Sequence, residues 1–415
     1  MEYIVSDRVR KAFGALTADR KVLDAVKFIE DDNDKMVDMQ CELTLIPAPT
    51  FQERKKAARI LEIFKENGLE DAHIDEYGNV VGVRKGTGGG KTVLIEGHMD
   101  TVFPIDTKLE IIKKDGWIYC PGIVDDTRGC TAVISTLRAL NAAGIETKGD
   151  IHFVTTVQEE GTGALKGMQY YVTHHPELEA SISVDGDGFR QITYEATGIQ
   201  TFEVTFHGIG GHAYGMFGEV ANPIHAAGRA IAKISEFVVP EFPRTTFAVT
   251  NLEAGSIESV HAIVKDATIR FNFRSNSQEE LMKLKGKIFE AIDEACKEET
   301  AKWGKDTITY TFRHLMDVNA GTQDSHAPIV EGAMAIAEYL GEPEPQLGHG
   351  GSTNCNRALE VGLPAVCLGG GSDYDSKCHT LAEQFKIEGA YKGIQQAMLL
   401  TLLCAGTDAA DSVID

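Results

Sequence analysis

Residues 92–100 read Thr92-Val93-Leu94-Ile95-Glu96-Gly97-His98-Met99-Asp100. A short apolar run that follows a glycine turn at 86–90 and ends on a histidine and an aspartate has the form of a buried strand carrying reactive side chains at its C-terminal end. Two more runs repeat the pattern. Ile151-His152-Phe153-Val154-Thr155-Thr156-Val157 leads into Gln158-Glu159-Glu160, and Ala180-Ser181-Ile182-Ser183-Val184 leads into Asp185-Gly186-Asp187-Gly188. Helical segments are predicted between them over 130–141 and 164–173. Strands alternating with helices build a largely parallel, helix-covered sheet, and such a sheet presents its sites beyond the carboxyl ends of its strands.

Upstream, residues 21–46 carry Val22, Val26, Ile29, Met36, Met39 and Leu43 in an amphipathic helical region that Ile46-Pro47-Ala48-Pro49 stops. Thr50-Phe51-Gln52-Glu53 has the form of a capping box ahead of a helix bearing Ala57, Ile60, Leu61 and Phe64. After Asp187 the style changes. Thr201-Phe202-Glu203-Val204-Thr205-Phe206 and Thr268-Ile269-Arg270-Phe271-Asn272-Phe273-Arg274 alternate, as a half-exposed antiparallel sheet does. Helices are predicted over 223–237 and 278–300, and a strand over 307–312. From Ala327 helices and buried strands return, with Ala365-Val366-Cys367-Leu368 and a closing helix over 389–403. The expectation is an α/β catalytic domain, residues 1–196 and 317–415, interrupted by a smaller α+β domain at 197–316.

Composition bounds the partners. The chain has 415 residues, 43% hydrophobic and 25% charged, with no apolar stretch near the roughly 20 residues of a membrane-spanning helix. A net charge of −22 argues against nucleic acid and anionic membranes, which require clustered Lys and Arg. Eight cysteines are scattered without a CxxC pair, as free and mostly buried thiols would be. With no basic and apolar leader pattern at the N-terminus, the expected location is the cytoplasm.

The strand-end clusters each admit two readings. In an extended segment His98 and Asp100 project to the same side, so His98 can ligate a metal while Asp100 orients it; H-x-D also occurs by chance. Asp125 and Asp126, ahead of Thr127-Arg128-Gly129, either cap a helix or bind a cation. Glu159 and Glu160 repel one another unless solvated or metal-bound, and Asp185-Gly186 is either a turn or a ligand. His379 sits in Ser376-Lys377-Cys378-His379-Thr380-Leu381-Ala382-Glu383. A mixed histidine and carboxylate set suits zinc, manganese or cobalt.

The ordered series Gly97-His98-Met99-Asp100-Thr101-Val102-Phe103-Pro104, Asp125-Asp126, Glu159-Glu160, Ser183-Val184-Asp185-Gly186, Gly210-Gly211-His212-Ala213, Gly351-Ser352-Thr353-Asn354 and His379-Thr380-Leu381 resembles the M20 family of metallopeptidases and amidohydrolases. The resemblance implies a zinc-exopeptidase-like catalytic domain with a ferredoxin-like lid and dimerisation domain. It implies two divalent ions, zinc first and manganese or cobalt as alternatives. Asp125 would bridge them, His98 and Asp185 would hold one, and Glu160 and His379 the other. Glu159 would be the general base and Asp100 the positioning group for His98. His212 would stabilise the oxyanion from the partner subunit of a homodimer, and Arg274 would bind a substrate carboxylate. The implied substrate is a small peptide or N-acyl amino acid. An aminohydrolase releasing ammonia from a small amine, and a non-catalytic metal-binding scaffold, are the other two readings. Three features depart from the common pattern: one extra residue between Asp125 and Gly129, His261-Ala262-Ile263-Val264 ahead of the Arg274 strand, and Asn354 in place of an aspartate. The last two are expected near a substrate pocket.

Overall fold

Period-two alternation sorts the strand residues into two layers. Val93, Ile95, Ile151, Phe153, Ile182, Val366 and Leu368 face one core, while Leu94, Val154, Ala365 and Cys367 face the other. The first layer is covered by helices Thr127–Ala142, Pro328–Tyr339 and Tyr391–Ala405, the second by Lys166–His174 and Cys355–Glu360. Burial on both faces explains why these strands read as continuous apolar runs. Each fully buried Leu, Ile, Val or Phe contributes roughly 1.5–3 kcal/mol.

The computed structural model describes residues 4–186, 188–303, 308–342, 344–372 and 374–414. Asp187 and Thr307, both quoted above, lie outside the described residues. The chain divides into two compact units, Met1–Ala196 with Thr322–Asp415, and Thr197–Gly321. The expected break at 316 falls inside the strand Thr309–Val318, which extends beyond the stretch 307–312 expected of it.

In the larger unit eight strands lie in the order His73–Ile74, Val80–Arg84, Ile151–Thr156, Val93–His98, Ala180–Val184, Ala365–Leu368, Gln191–Ala196, Gln346–Gly351. The four central strands, from Ile151–Thr156 to Ala365–Leu368, are mutually parallel. Antiparallel pairings flank them on both sides. The carboxyl ends of the four therefore emerge together. Upstream the chain forms Asp7–Ala18, Arg20–Asp31 and Asn33–Thr44.

One helix must come very close to the sheet. A Cβ on Gly97 would lie 2.6 Å from the main-chain carbon of Gly129, and one on Gly129 would overlap the Val184 carbonyl and the Asp126 carboxylate. These two glycines let the N-terminus of Thr127–Ala142 sit directly at the strand ends. Asp126 caps it, accepting from the Gly129 N–H at 2.8 Å.

The smaller unit is a four-stranded antiparallel sheet in the order Thr245–Ala254, Asp266–Ser275, Gly198–His207, Thr309–Val318. Chain order strand, helix Pro223–Ser235, two strands, helix Gln278–Trp303, strand is the ferredoxin-like arrangement. Phe202, Val204, Phe206, Ile269, Phe271 and Phe273 form its core with Ala226, Ala230, Leu284 and Ile288 from the helices.

Candidate metal centre

The carboxyl ends of the parallel strands bring His98, Asp125, Glu159, Glu160, Asp185 and His379 together in the larger unit. His98 closes its strand; Glu159 and Glu160 follow Thr156 and Asp185 follows Val184. Gln158 has φ 58°, in the left-handed region, and turns the chain just before the two glutamates. His379 likewise has φ 64°.

Asp125 lies between the two imidazoles. Its Oδ1 is 3.2 Å from His98 Nε2 and its Oδ2 is 2.9 Å from His379 Nε2. His379 Nε2 is also 3.0 Å from Glu160 Oε1, and His98 Nε2 is 3.9 Å from both Asp185 Oδ1 and Glu159 Oε2. Ligand atoms of His98, Asp125 and Glu160 fall within 4.8 Å of one another, as do those of His98, Glu159 and Asp185.

The tautomer of His98 shows what the site is built to hold. Its Nδ1 is 3.0 Å from the Asp100 carbonyl, and only an Nδ1–H can bond there. In the neutral ring Nε2 then carries a lone pair facing the buried Asp125 Oδ1. In that form two acceptors face each other at 3.2 Å, an arrangement that a proton or a cation between them resolves.

Electrostatics lead to the same conclusion. Burial, reinforced by Asp125, pushes Asp185 up to about 7. Burial also raises Glu159 well above the usual carboxylate range, with Glu160 adding to it. Hydrogen bonds to Asp125 and Glu160 lift His379 to about 11. More carboxylate charge converges here than two imidazoles neutralise, and a divalent cation balances such a surplus.

The neighbouring carboxylates have other work. Asp126 is fully buried and spends its oxygens on the main-chain N–H groups of Gly129 and His98, both at 2.8 Å. It is a cap and a brace, which leaves Asp125 facing the histidines. Asp100 was expected to orient His98 through its carboxylate. The carboxylate is 3.5 Å from Nδ1, and the nearer partner is its own carbonyl. Its oxygens accept from the N–H groups of Glu159 and Glu160 at 3.0 Å each. Asp100 thus ties two strand ends together.

Several contributors were not singled out from the sequence. The buried Glu383 accepts from the N–H groups of Gly122, Val124 and Asp125 at 2.8, 2.8 and 3.0 Å, fixing the loop that carries Asp125. Arg128, fully buried, donates to the carbonyls of Gly370 and Ala390 and to Gln40. Lys56 is buried with Nζ 3.3 Å from Thr127 Oγ1. The capping box is not formed: Glu53 makes no cap, and the Thr50 hydroxyl donates to Asp100 Oδ2 at 2.9 Å. For Glu383 the available signal was its place in the His379 motif, four residues beyond that histidine.

Asn354 is buried, and its amide donates to Glu96 Oε2 and Thr156 Oγ1 at 2.8 Å each. An aspartate there would face a second buried carboxylate, which accounts for the departure.

His212 and Arg274 belong to the smaller unit. His212 is exposed, pairs with Ala262 in a short ladder, and accepts from the Gly215 N–H through Nδ1 at 3.2 Å. The departing segment at 261–264 is therefore the strand beside His212. Arg274 is exposed at the end of Asp266–Ser275, with Nε 3.2 Å from Asn272 Oδ1.

Among the described residues the eight cysteines form no disulfide, and six of them are buried. Among the described residues, no helix is long and apolar enough to cross a membrane.

The sequence pattern of Peptidase family M20/M25/M40 matches residues 94–402. Succinyl-diaminopimelate desuccinylase of Corynebacterium glutamicum is 29% identical over 201 residues, 47% of this chain and 53% of that protein. The chain thus spans about half the length of that curated relative. A tripeptidase from Staphylococcus aureus superposes with a TM-score of 0.75 at 23% identity, covering 90% of this chain and 98% of that one. The YXEP protein of Bacillus subtilis, described as a dinuclear metal-binding peptidase, superposes with a TM-score of 0.65 at 18% identity, covering 90% of this chain and 99% of that one. At those identities the two superpositions bear on the fold.

Proposed function

The chain belongs to peptidase family M20/M25/M40, and on that premise we propose that it is a hydrolase of amide bonds in small peptides or N-acyl amino acids, working with two divalent metal ions. The observation that carries the reading is the position of Asp125, its two oxygens turned to the Nε2 atoms of His98 and His379 at 3.2 and 2.9 Å.

In this reading Asp125 would be shared by both ions, His98 and Asp185 would hold one, and Glu160 and His379 would hold the other. Zinc ranks first for such a mixed set, with manganese and cobalt next. When bound, the ions lower the pKa of water toward neutrality and polarise the scissile carbonyl. Glu159 accepts the proton of the attacking water and delivers it to the departing amine nitrogen as the C–N bond breaks. Burial suits it to that task, because a carboxylate raised above its ordinary range accepts a proton more readily near neutral pH. Asp100 holds Glu159 and Glu160 in place through their main-chain N–H groups.

His212 is assigned to oxyanion stabilisation from a partner subunit, and Arg274 to a substrate carboxylate, for which a guanidinium fork is fitted. The exposure of His212, with Tyr214 and Phe217 exposed after it, supports a surface that meets another chain. Eight cysteines without a disulfide among the described residues support a reducing compartment, the cytoplasm.

Product analysis tests the reading. The protein is incubated with dipeptides, tripeptides, N-acyl amino acids and aromatic amines, with and without added zinc, manganese or cobalt. Metal-dependent release of a free amino acid is expected. Release of ammonia from an amine would replace the reading by an aminohydrolase, and absence of turnover with full metal loading would leave a binding protein.

A further inference from the structure

A second convergence of ligating side chains lies elsewhere in the larger unit. His152 is the second residue of the strand Ile151–Thr156 and pairs with Leu94 of the neighbouring strand. Leu94 precedes His98 by four residues, roughly 13 Å of strand at 3.3 Å per residue. The cluster therefore sits toward the amino ends of the parallel strands, away from the metal centre described above.

Alternation aims His152 at the layer that holds Leu94 and Val154, which helix Lys166–His174 covers. His175 follows that helix directly, and Glu177 comes two residues later. One ligand atom from each of His152, His175 and Glu177 lies within 4.8 Å of the other two. His175 Nδ1 is 2.8 Å from Glu177 Oε1.

Tyr171 orders both rings. Its hydroxyl is 2.8 Å from His152 Nδ1, and its ring lies under that of His175 with centroids 4.2 Å apart. The two imidazoles stand edge to face at 5.6 Å. With Nδ1–H donated to the Tyr171 oxygen, His152 turns the Nε2 lone pair to an ion, and an outer partner of this kind orients a histidine ligand. Two imidazoles and a carboxylate on the ends of a strand and a helix match the donor set of an open zinc-type site, solvent completing the shell. Tyr171 is fully buried and His152 nearly so, whereas the side chains of His175 and Glu177 are 31% and 50% exposed. An ion could thus reach a half-built, rigid platform from solvent.

We propose that His152, His175 and Glu177 form an additional site for a borderline-soft divalent cation, zinc foremost. Binding there clamps the turn after helix Lys166–His174 to the strand that leads into Glu159 and Glu160.

Zinc alone is the probe. Wild-type protein and the variants His175→Ala and Glu177→Gln are dialysed against buffered zinc, and bound zinc is counted per chain by mass spectrometry. Both changes fall on partly exposed side chains, and circular dichroism checks the fold. The wild type is expected to hold one more equivalent than either variant and to gain more in Tm on zinc addition. Tyr171→Phe, which keeps the ring, is expected to weaken that equivalent 10- to 100-fold, and His174→Ala to leave it unchanged. Equal zinc counts in wild type and both variants would overturn the proposal and leave a hydrogen-bonded aromatic cluster. Failure of the two-metal reading lowers all counts alike and preserves the difference, so the two outcomes are separable.

Discussion

Glu383 Oε1 accepts the main-chain N–H of Asp125 at 3.0 Å, across 258 residues of sequence. The carboxylate takes two more N–H groups from the same loop, so the residue placed between His98 and His379 is held by a side chain four positions beyond His379. One segment therefore supplies both a candidate ligand and the brace for the residue that ligand meets. Glu383→Gln keeps the volume and replaces one of the two acceptor oxygens with a donor. Metal affinity at the Asp125 centre is expected to fall 10- to 100-fold, read by competition with a chromogenic chelator. Unchanged affinity would show that the loop holds its place without it.

Glycine to alanine inside a helix ordinarily stabilises by up to about 1 kcal/mol. At Gly129 the sign is expected to reverse. The added methyl overlaps the Val184 carbonyl and the Asp126 carboxylate, and forced overpacking costs about 1–3 kcal/mol. Urea unfolding of Gly129→Ala distinguishes the two signs directly.

Asn354→Asp would restore the common family residue and place a second carboxyl beside buried Glu96. Loss of the amide donor costs roughly 1–3 kcal/mol. Burial already raises Glu96 above its ordinary value, and a second acid raises the pair further. A carboxyl raised in the folded state loses its stability contribution as pH rises, by up to about 1.4 kcal/mol per unit and site. The variant is therefore expected to lose ground to wild type as pH rises above the ordinary carboxylate range. A difference that stays constant as pH rises would contradict this.

Burial, with His175 adding to it, lowers His152 to about 4. Its ordinary value is 6.5, so between about 6.5 and 4 the unfolded chain takes up a proton that the folded chain refuses. Stability is present above the upper limit and is lost as pH falls through the window, at up to about 1.4 kcal/mol per pH unit. In chelator, His152→Gln is expected to flatten the loss between pH 6.5 and 5. Parallel curves for wild type and variant would rule this out.

The larger unit was legible because burial on both faces gives apolar runs that need no partner to be recognised. Ala180–Val184 and Ala365–Leu368 end where the sequence predicts. The strand Thr245–Ala254 was missed: it lies at a sheet edge, half exposed, with an irregular register between Val249 and Asn251 that breaks its alternation. At the centre, acids and histidines at successive strand ends were visible as residue types. Their supports were not. Glu383 acts on Asp125, Asn354 on Glu96 and Thr50 on Asp100 through folding alone, at separations of 258, 258 and 50 residues. Thr50 shows the hazard of local patterns, because a capping-box sequence was diverted to a buried carboxylate.

The most direct single measurement pairs metal content with amide hydrolysis in Glu159→Gln, using whichever peptide or N-acyl amino acid the wild type cleaves. Glu159 stands beside Glu160 but is assigned the proton rather than an ion. The variant is expected to keep wild-type metal content and lose turnover by about 10²- to 10⁴-fold. Wild-type turnover in Glu159→Gln would contradict the assignment of the base and with it the proposed chemistry of the centre.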